Sequence, residues 1–278
     1  MSVSYVYCDI SSLIPRADIL AQSLNLPLAQ NATDRICDLA TSDYYLAVTR
    51  EGVCLVHQDV HMHGPICCDF TSAASIHRRK YGGGMGQAIA RAVGITGRCK
   101  PQVLDVTAGL GSDTFVMASL GCHVVMIERH PIVQALLKDG IERANGAALL
   151  DPELAPIVQR LSLHCVDAVA YLSDTSANHR PDVIYLDPMY PERQKSAKVK
   201  KQMQAFHTVI GSDSDASELL QLSLKRAVHR VVVKRSLKAP CLKGPAPSYA
   251  LTGKSTRFDV YALRKLPTVL GVSSDVIA

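Results

Sequence analysis

The chain has 278 residues, of which 47% are hydrophobic and 20% charged, and this composition is that of an ordinary globular protein. No stretch offers the ~18 consecutive apolar residues that a membrane span needs, and the N-terminal residues do not read as a secretory signal. Residues 1–191 carry 14 basic against 19 acidic side chains, whereas residues 192–278 carry 16 against 6. This split indicates a face made to meet a polyanion, or else a solvated basic surface without a partner.

The first 75 residues predict a small α+β lobe in which no chemistry is recognisable. Short strand-like runs alternate with turns, and the turn at Arg50 lies between two β-rich runs, which predicts a hairpin. The predicted elements are a helix at 18–25, hairpin strands at 45–49 and 53–57, and a strand between 60 and 70. We expect this lobe to be a domain of its own, residues 1–75, followed by a larger domain at 76–278.

From residue 76 onwards the pattern changes to alternating strands and helices, which predicts a parallel sheet covered on both faces. Strands are predicted at 102–106, 123–127, 162–166, 183–186 and 229–234, and helices at 112–120, 131–145, 167–172 and 216–227. A terminal hairpin is predicted at 248–252 and 256–263. Five parallel strands and a hairpin resemble the sheet of the Rossmann-like methyltransferases. The predicted fold class is therefore α/β, a Rossmann-like seven-stranded S-adenosylmethionine (SAM) methyltransferase fold with a small N-terminal α+β lobe.

The strongest local signal is a glycine loop that follows the first strand of this domain. An apolar run ends at Asp105, and Gly109 and Gly111 precede a predicted helix. Glycines allow a ligand to approach the backbone closely, and the start of the helix offers free N–H groups. The third glycine of a dinucleotide fingerprint is missing. The loop instead resembles motif I of SAM methyltransferases, although a plain strand–helix turn would share the pattern. The predicted cofactor contacts of this loop are Asp105, Gly109 and Gly111.

Two further strands end in acidic residues that suit a nucleoside. Glu128 ends the second strand 19 residues after Gly109, the spacing at which a carboxylate accepts hydrogen bonds from ribose hydroxyls. Arg129 follows and is expected beside the adenosine. Asp167 and Ala168 follow the third strand, where they would meet the adenine, although Asp167 could equally cap the next helix.

The stretch Asp187-Pro188-Met189-Tyr190-Pro191 follows a buried strand and is the candidate catalytic motif. It resembles the Asp/Asn-Pro-Pro-Tyr/Phe motif of methyltransferases that act on base amino groups. An exocyclic amine is a poor nucleophile because its lone pair is delocalised into the ring. A carboxylate and a backbone carbonyl that accept hydrogen bonds from its N–H groups would hold the nitrogen in line with the methyl group. The aromatic ring of Tyr190 could stack on a base turned out of its helix. The predicted catalytic residues are Asp187, Pro188 and Tyr190.

Basic residues follow this motif and also end the fifth strand. They are expected to bind RNA phosphates, with an affinity that falls as salt rises. The predicted RNA-binding residues are Arg193, Lys195, Lys198, Lys200, Lys201, Lys234 and Arg235.

The nine cysteines and the histidines do not indicate a metal site. No cysteine pair has CxxC spacing, so residues such as Cys54 and Cys165 are expected to be small buried side chains in a reduced, cytoplasmic protein. His61 and His63 alternate on a predicted strand without a third ligand nearby. We therefore expect no metal.

Taken together, the motifs resemble the RsmJ family of small-subunit ribosomal RNA guanine-N2 methyltransferases. The matching segments are RRKYGGGMGQ at 78–87, LDVTAGLGSD at 104–113, IER at 127–129, YLDPMYP at 185–191 with QKS at 194–196, and VVVKR at 231–235. The resemblance implies SAM as cofactor and a guanine N2 in small-subunit rRNA, or in the small ribosomal subunit, as acceptor. It assigns cofactor contacts to Ser112, Asp113, Glu128, Arg129, Asp167, Ala168 and Asp187, although the family can have Arg at the position of Ser112 and Ser at that of Asp167.

Three other functions remain open at the level of sequence. A methyltransferase acting on amino groups of DNA bases shares the Asp-Pro-x-Tyr pattern, but only about 75 residues lie outside the fold, and no domain for reading DNA sequence is evident. A non-catalytic RNA-binding module would not need Glu128, Asp187 and Tyr190 together. A nicotinamide oxidoreductase would require dinucleotide binding.

Overall fold

A computed structural model describes residues 3–30, 42–59, 61–72, 75–76, 84–174, 180–189, 209–211 and 213–270. Its contacts divide the chain into two compact units. The first comprises Met1–Asp69, His130–Arg143 and Met189–Ser212, and the second comprises Phe70–Arg129, Ala144–Pro188 and Asp213–Ala278. The division at residues 75 and 76 into two consecutive domains stays a prediction.

The first unit contains a five-stranded sheet. Its strands are β1 (Val6–Tyr7), β2 (Leu28–Ala29), β3 (Tyr44–Thr49), β4 (Gly52–His57) and β5 (Ile66–Cys67), in the order β2-β1-β3-β4-β5. Strand β1 is parallel to both β2 and β3, whereas β3 and β4 form the antiparallel hairpin that the sequence predicts. Helix α1 (Ile14–Leu24) begins four residues before its predicted start, because Pro15 is tolerated in a first helical turn.

One cysteine expectation is wrong. Cys54 and Cys67 are directly opposite each other on the antiparallel strands β4 and β5, with their Cα atoms 4.6 Å apart, and they form a disulfide. The sequence suggested small buried side chains because the 13-residue separation of this pair has no characteristic spacing. Only the register of β4 against β5 brings the two residues together. Cys165 remains a free, partly buried thiol.

A buried carboxylate connects helix α4 (Pro131–Ala148) to other residues of the first unit. The side chain of Asp139 is 2% exposed and accepts hydrogen bonds from Arg16 at 2.8 Å and from Arg143 at 2.9 Å. Arg143 also donates to the carbonyl of Cys68. A buried charge is tolerated when it is paired in this way, so the two arginines compensate the charge of Asp139.

The second unit contains a seven-stranded sheet, as the sequence predicts. Its strands are β6 (Val103–Asp105), β7 (Val124–Ile127), β8 (Leu161–His164), β9 (Val183–Leu186), β10 (Arg230–Ser236), β11 (Tyr249–Thr252) and β12 (Thr256–Ala262), in the order β11-β12-β10-β9-β6-β7-β8. Strands β6 to β10 are parallel to one another, and β12 is antiparallel to both β10 and β11. All four side chains of β9 are fully buried, which explains its uninterrupted apolar sequence.

Short helices accompany these strands, some of them at positions that the sequence predicts. They are α2 (Ala88–Val93), α3 (Ser112–Ser119), α5 (Ala155–Val158), α6 (Ala168–Ser173) and α7 (Ala216–Arg226). Helices α2 and α5 are too short to show a clear apolar period and were not predicted. None of the helices in the described part of the chain is long and apolar enough to cross a lipid bilayer.

The strand order creates a topological switch point between β6 and β9. The chain builds β6, β7 and β8 outward in one direction and then returns to place β9 on the other side of β6. In open α/β sheets, ligands bind beyond the carboxyl ends of the strands at such a switch point. The carboxyl ends of β6 and β9 lead into the glycine loop and into Asp187, respectively.

Candidate active site

The glycine loop between β6 and α3 has a backbone that only glycine adopts easily. Gly109 has φ of 55° and Gly111 has φ of 70°, and Gly111 is the N-cap of α3. A Cβ atom placed on Gly109 would have only the carbonyl oxygen of Thr107 within 4 Å, at 4.0 Å. The backbone at Gly109 is therefore uncovered where a side chain would stand, which leaves room for a ligand.

Asp105 supports this loop from beneath. It is 2% exposed, and its carboxylate accepts hydrogen bonds from the Thr107 N–H at 3.1 Å and from the Thr114 hydroxyl at 2.5 Å. Both of these bonds hold residues of the loop and of α3, and a direct contact of Asp105 with the cofactor stays a prediction. Burial raises the pKa of Asp105 to about 7, although the bonds from Thr114 and Thr107 lower it.

Glu128 reaches the same loop from the end of β7. It is 8% exposed, and its Oε2 atom accepts a hydrogen bond from the Gly109 N–H at 3.0 Å. The two residues are 19 positions apart in sequence. The structure thus brings together the glycine loop and the carboxylate that the sequence paired by spacing alone.

Arg129 is surrounded by three carboxylates. Its guanidinium donates to Asp213 at 2.6 Å and to Asp215 at 2.5 Å and 3.2 Å, and it lies 3.7 Å from Asp167. Asp167 is also the N-cap of α6, because its Oδ1 atom accepts a hydrogen bond from the Ala170 N–H at 2.9 Å. The capping role that the sequence left open is therefore confirmed.

Asp187 follows β9 and lies in a network of charged side chains. Its Oδ2 atom accepts a hydrogen bond from Lys234 Nζ at 2.7 Å, and the same ammonium donates to Asp113 Oδ2 at 2.7 Å. Asp113 Oδ2 also accepts a hydrogen bond from the Tyr185 hydroxyl at 2.7 Å. The backbone N–H of Asp187 donates to Thr107 Oγ1 at 2.6 Å. Two carboxylates, one ammonium and one phenol therefore meet where β9, β10 and α3 converge.

The exposure of these side chains distinguishes Asp187 from its partners. The side chain of Asp187 is 39% exposed, whereas that of Asp113 is 13% and that of Lys234 is 25% exposed. Partial loss of hydration in this site raises the pKa of Asp187, whereas the positive charge of Lys234 lowers it. The two carboxylates raise the pKa of Lys234 in spite of burial, so its ammonium stays charged. Asp187 is thus the carboxylate of this network that is open to a substrate.

Two predicted RNA-binding residues lie elsewhere than expected. Lys234 is paired with two carboxylates of the site. Arg235 is 4% exposed and donates to the carbonyl oxygen of Pro240 at 2.9 Å and 3.2 Å. The sequence suggested exposed strand-end cations, but the hairpin β11–β12 makes β10 an interior strand of the sheet. Arg235 is therefore withdrawn as a phosphate contact.

Several predicted residues lie outside the described part of the chain. These are Tyr190, Arg193, Lys195, Lys198, Lys200 and Lys201, together with Gly82 and Gly83 of the triple-glycine segment. Pro188 is buried, and Gly84–Gly86 form a short 3-10 turn. The described residues hold no group of three or more His, Cys, Asp or Glu side chains that could bind a metal ion.

Sequence reasoning missed two members of the site. Tyr185 precedes Asp187 by two positions, so the period of a strand places both on the same face of the sheet. Thr107 follows Asp105 by two positions and connects it to Asp187 through its own N–H and hydroxyl groups. Strand alternation could have indicated Tyr185, but no local signal indicates Thr107.

Comparison with known proteins agrees with this geometry. The family model described as "Putative SAM-dependent methyltransferase" matches residues 31–263. The chain is 48% identical over 258 residues to ribosomal RNA small subunit methyltransferase J of Cellvibrio japonicus, which covers 92% of this chain and 96% of that protein. It is 47% identical over 247 residues to the protein of the same name from Dechloromonas aromatica, covering 89% and 95%.

A solved structure leads to the same assignment. The crystal structure of a SAM-dependent methyltransferase from Neisseria gonorrhoeae superposes with a TM-score of 0.66 at 35% identity, covering 93% of this chain and 95% of that one. The resemblance stated from the motifs is thereby confirmed, and SAM is the cofactor. The chain belongs to the ribosomal RNA small subunit methyltransferase J family of SAM-dependent methyltransferases.

Proposed function

We propose that this enzyme transfers a methyl group from SAM to the exocyclic N2 of a guanine in small-subunit ribosomal RNA. The observation that carries the proposal is the position of Asp187, a partly exposed carboxylate that follows β9, next to the glycine loop and before Pro188. The names of the relatives support rRNA as the substrate. The RsmJ resemblance of the motifs supports N2 of guanine as the acceptor atom.

The residues around the loop suit a nucleoside cofactor that carries an amino acid. The bare backbone at Gly109 and Gly111 suits the methionine part, with Ser112 and Asp113 beside it at the start of α3. Glu128 suits the ribose hydroxyls. Arg129, Asp167 and Ala168 are proposed beside the adenine. When bound, SAM supplies an electrophilic methyl group on a sulfonium.

Asp187 is proposed to prepare the acceptor nitrogen for attack. Its carboxylate accepts a hydrogen bond from an N–H group of the amine, which holds the nitrogen lone pair in line with the methyl group. As the nitrogen gains the methyl group, it must lose one proton. The Oδ1 atom of Asp187 is proposed to accept that proton and to release it to solvent, because the side chain is 39% exposed.

The basic residues after the motif are proposed to bind the RNA. Arg193, Lys195, Lys198, Lys200 and Lys201 follow Asp187 within 14 positions, so they lie near it along the chain. Contacts to phosphates would fix the register of the RNA, while Tyr190 stacks on the target base. The partner is proposed to be small-subunit rRNA or the small ribosomal subunit, in the cytoplasm.

The test is a tritiated-methyl transfer assay with three substrates from a strain that lacks the protein: small ribosomal subunits, protein-free rRNA and DNA. Label recovered as N2-methylguanosine from a ribosomal substrate would support the proposal. Asp187→Ala should abolish that label while the protein stays folded. Label in DNA alone, or in another nucleoside, would overturn the acceptor. Full turnover by Asp187→Ala would remove Asp187 from catalysis.

A further inference from the structure

We infer that Lys234 is a positioning residue that holds Asp187 ionised and fixed against Asp113. The carboxylate of Asp187 can then accept a hydrogen bond from the amine of the substrate. The effect of Lys234 on catalysis rests on the proposed function. The pairing itself rests on the contacts of Lys234 with the two carboxylates, which do not depend on the substrate.

The sheet brings Lys234 to Asp187. Strands β9 and β10 are parallel neighbours whose last paired positions are Leu186 and Val233. The next residues along the chain are Asp187, directly after β9, and Lys234, within β10, so the strand pairing brings the two side chains close together. Their 2.7 Å contact therefore follows from the strand register rather than from a flexible surface encounter.

The ammonium of Lys234 is shared between two acceptors at equal distance. Its Nζ atom lies 2.7 Å from Asp113 Oδ2 and 2.7 Å from Asp187 Oδ2. Charge-assisted bonds of this length are strong, and Lys234 is only one-quarter exposed, so water screens them incompletely. Two of the three N–H donors of this ammonium are thus engaged inside the site. This geometry favours a role inside the site over the phosphate contact that the sequence predicts.

Other charges near Asp187 make this cation necessary. In the described part of the chain, the titratable groups that face it are Asp105 at the end of β6, Asp113 on α3, Asp213 before α7, Tyr185 on β9 and Lys234 on β10. Among these groups Lys234 is the one cation. Without it, the charged groups that these described residues bring to Asp187 would be carboxylates, and like charges favour the protonated acid. A protonated Asp187 would be a poorer acceptor for the amine hydrogen.

The test measures the titration of Asp187 directly, without RNA. The protein is labelled with 13C at the aspartate carboxyl groups, and the Asp187 resonance is identified by its loss in Asp187→Asn. In Lys234→Met, which keeps the length of the side chain, the titration midpoint should rise by about 1–3 pH units. Lys234→Arg, which keeps the charge, should restore most of that shift. Lys225→Met changes an exposed lysine near the C-terminal end of α7 and should leave the midpoint unchanged.

A second variant gives the opposite shift and covers the case in which Lys234→Met does not fold. Asp113→Asn removes the competing carboxylate, so Lys234 serves Asp187 alone, and the midpoint should fall. An unchanged midpoint in a folded Lys234→Met protein, or in Asp113→Asn, would overturn the inference.

Activity then separates the inference from the proposed function. The acid limb of the pH profile of kcat should move upward in Lys234→Met together with the Asp187 midpoint. A shifted midpoint with no methyl transfer to guanine by the wild-type protein would contradict the proposed acceptor but leave the Lys234 pairing intact. A shifted midpoint with an unmoved acid limb in an active enzyme would overturn the catalytic part of the inference.

Discussion

The backbone N–H of Asp187 donates a hydrogen bond to the hydroxyl of Thr107 at 2.6 Å. The two residues are 80 positions apart, at the ends of the neighbouring strands β6 and β9. The N–H of Thr107 in turn donates to the buried carboxylate of Asp105. Thr107 therefore connects the loop proposed to hold the cofactor with the carboxylate proposed to hold the acceptor, and it fixes the distance between the two.

Thr107→Val should leave the N–H of Asp187 without its acceptor. We expect the free energy of unfolding to fall by about 1–3 kcal/mol, the usual effect of leaving a buried polar group unsatisfied. The rate of single-turnover methyl transfer should fall by about tenfold, because Asp187 loses one of its fixed points. Thr107→Ser keeps the hydroxyl and is the matched control. Equal rates for the valine and serine variants would show that the bond does not position Asp187.

Asp105 makes the stability of the protein depend on pH. Burial raises its pKa from 3.8 to about 7. The folded protein therefore holds this proton more tightly than the unfolded chain, so the free energy of unfolding falls as pH rises from about 4 to about 7. Each unit of pKa difference corresponds to about 1.4 kcal/mol. Asp105→Asn cannot ionise and should flatten this slope in denaturant titrations across that range. A variant with the same slope as the wild type would contradict the raised pKa.

Gly109→Ala should weaken SAM binding more than it destabilises the fold. A side chain at φ of 55° costs about 1–2 kcal/mol, but the added Cβ would meet only the Thr107 carbonyl oxygen at 4.0 Å. The methyl group would instead occupy the bare side of the loop. Calorimetric titration with SAM should show the loss of affinity. Gly146→Ala in α4, which has no atom within 4 Å of its Cβ, is the control and should leave SAM affinity unchanged.

Arg129→Gln should loosen the start of α7. Asp213 and Asp215 precede this helix and would face Asp167 without the shared guanidinium. Because Arg129 is 39% exposed, the global free energy of unfolding should change by less than about 1 kcal/mol. The local effect should appear as faster hydrogen exchange in the first turn of α7, at Leu219 and its neighbours. Unchanged exchange there would mean that the ion pairs do not hold this turn.

Reversing Lys198, Lys200 and Lys201 to Glu tests the predicted basic segment. RNA affinity should fall, and the slope of log affinity against log salt should decrease by about 0.7 for each lost phosphate contact. SAM affinity should not change, because these residues are not among the proposed cofactor contacts. An unaltered salt slope would contradict the assignment of these lysines to phosphates.

Local patterns sufficed for most of the fold. The strand β9, the glycines of the loop and the terminal hairpin each have a signature within a few residues, since strand and turn preferences depend on neighbouring side chains. Glu128 was identified by its spacing from Gly109, and the structure joins the two by a hydrogen bond. The contacts that Asp105, Lys234 and Arg235 make within the protein were not predicted. All three are polar residues at strand ends, and a strand end in sequence does not reveal which groups face it.

The sequence alone therefore determined the order of the elements, the family and the chemical types present at the carboxyl edge of the sheet. The tertiary structure alone decided which charges meet. The pairing of Lys234 with Asp187 depends on the register of β10 against β9, and the pairing with Asp113 depends on a residue 121 positions away. The disulfide between Cys54 and Cys67 likewise depends on the register of β4 against β5. Register is set by packing and hydrogen bonding between distant segments, and no local preference of the residues themselves encodes it.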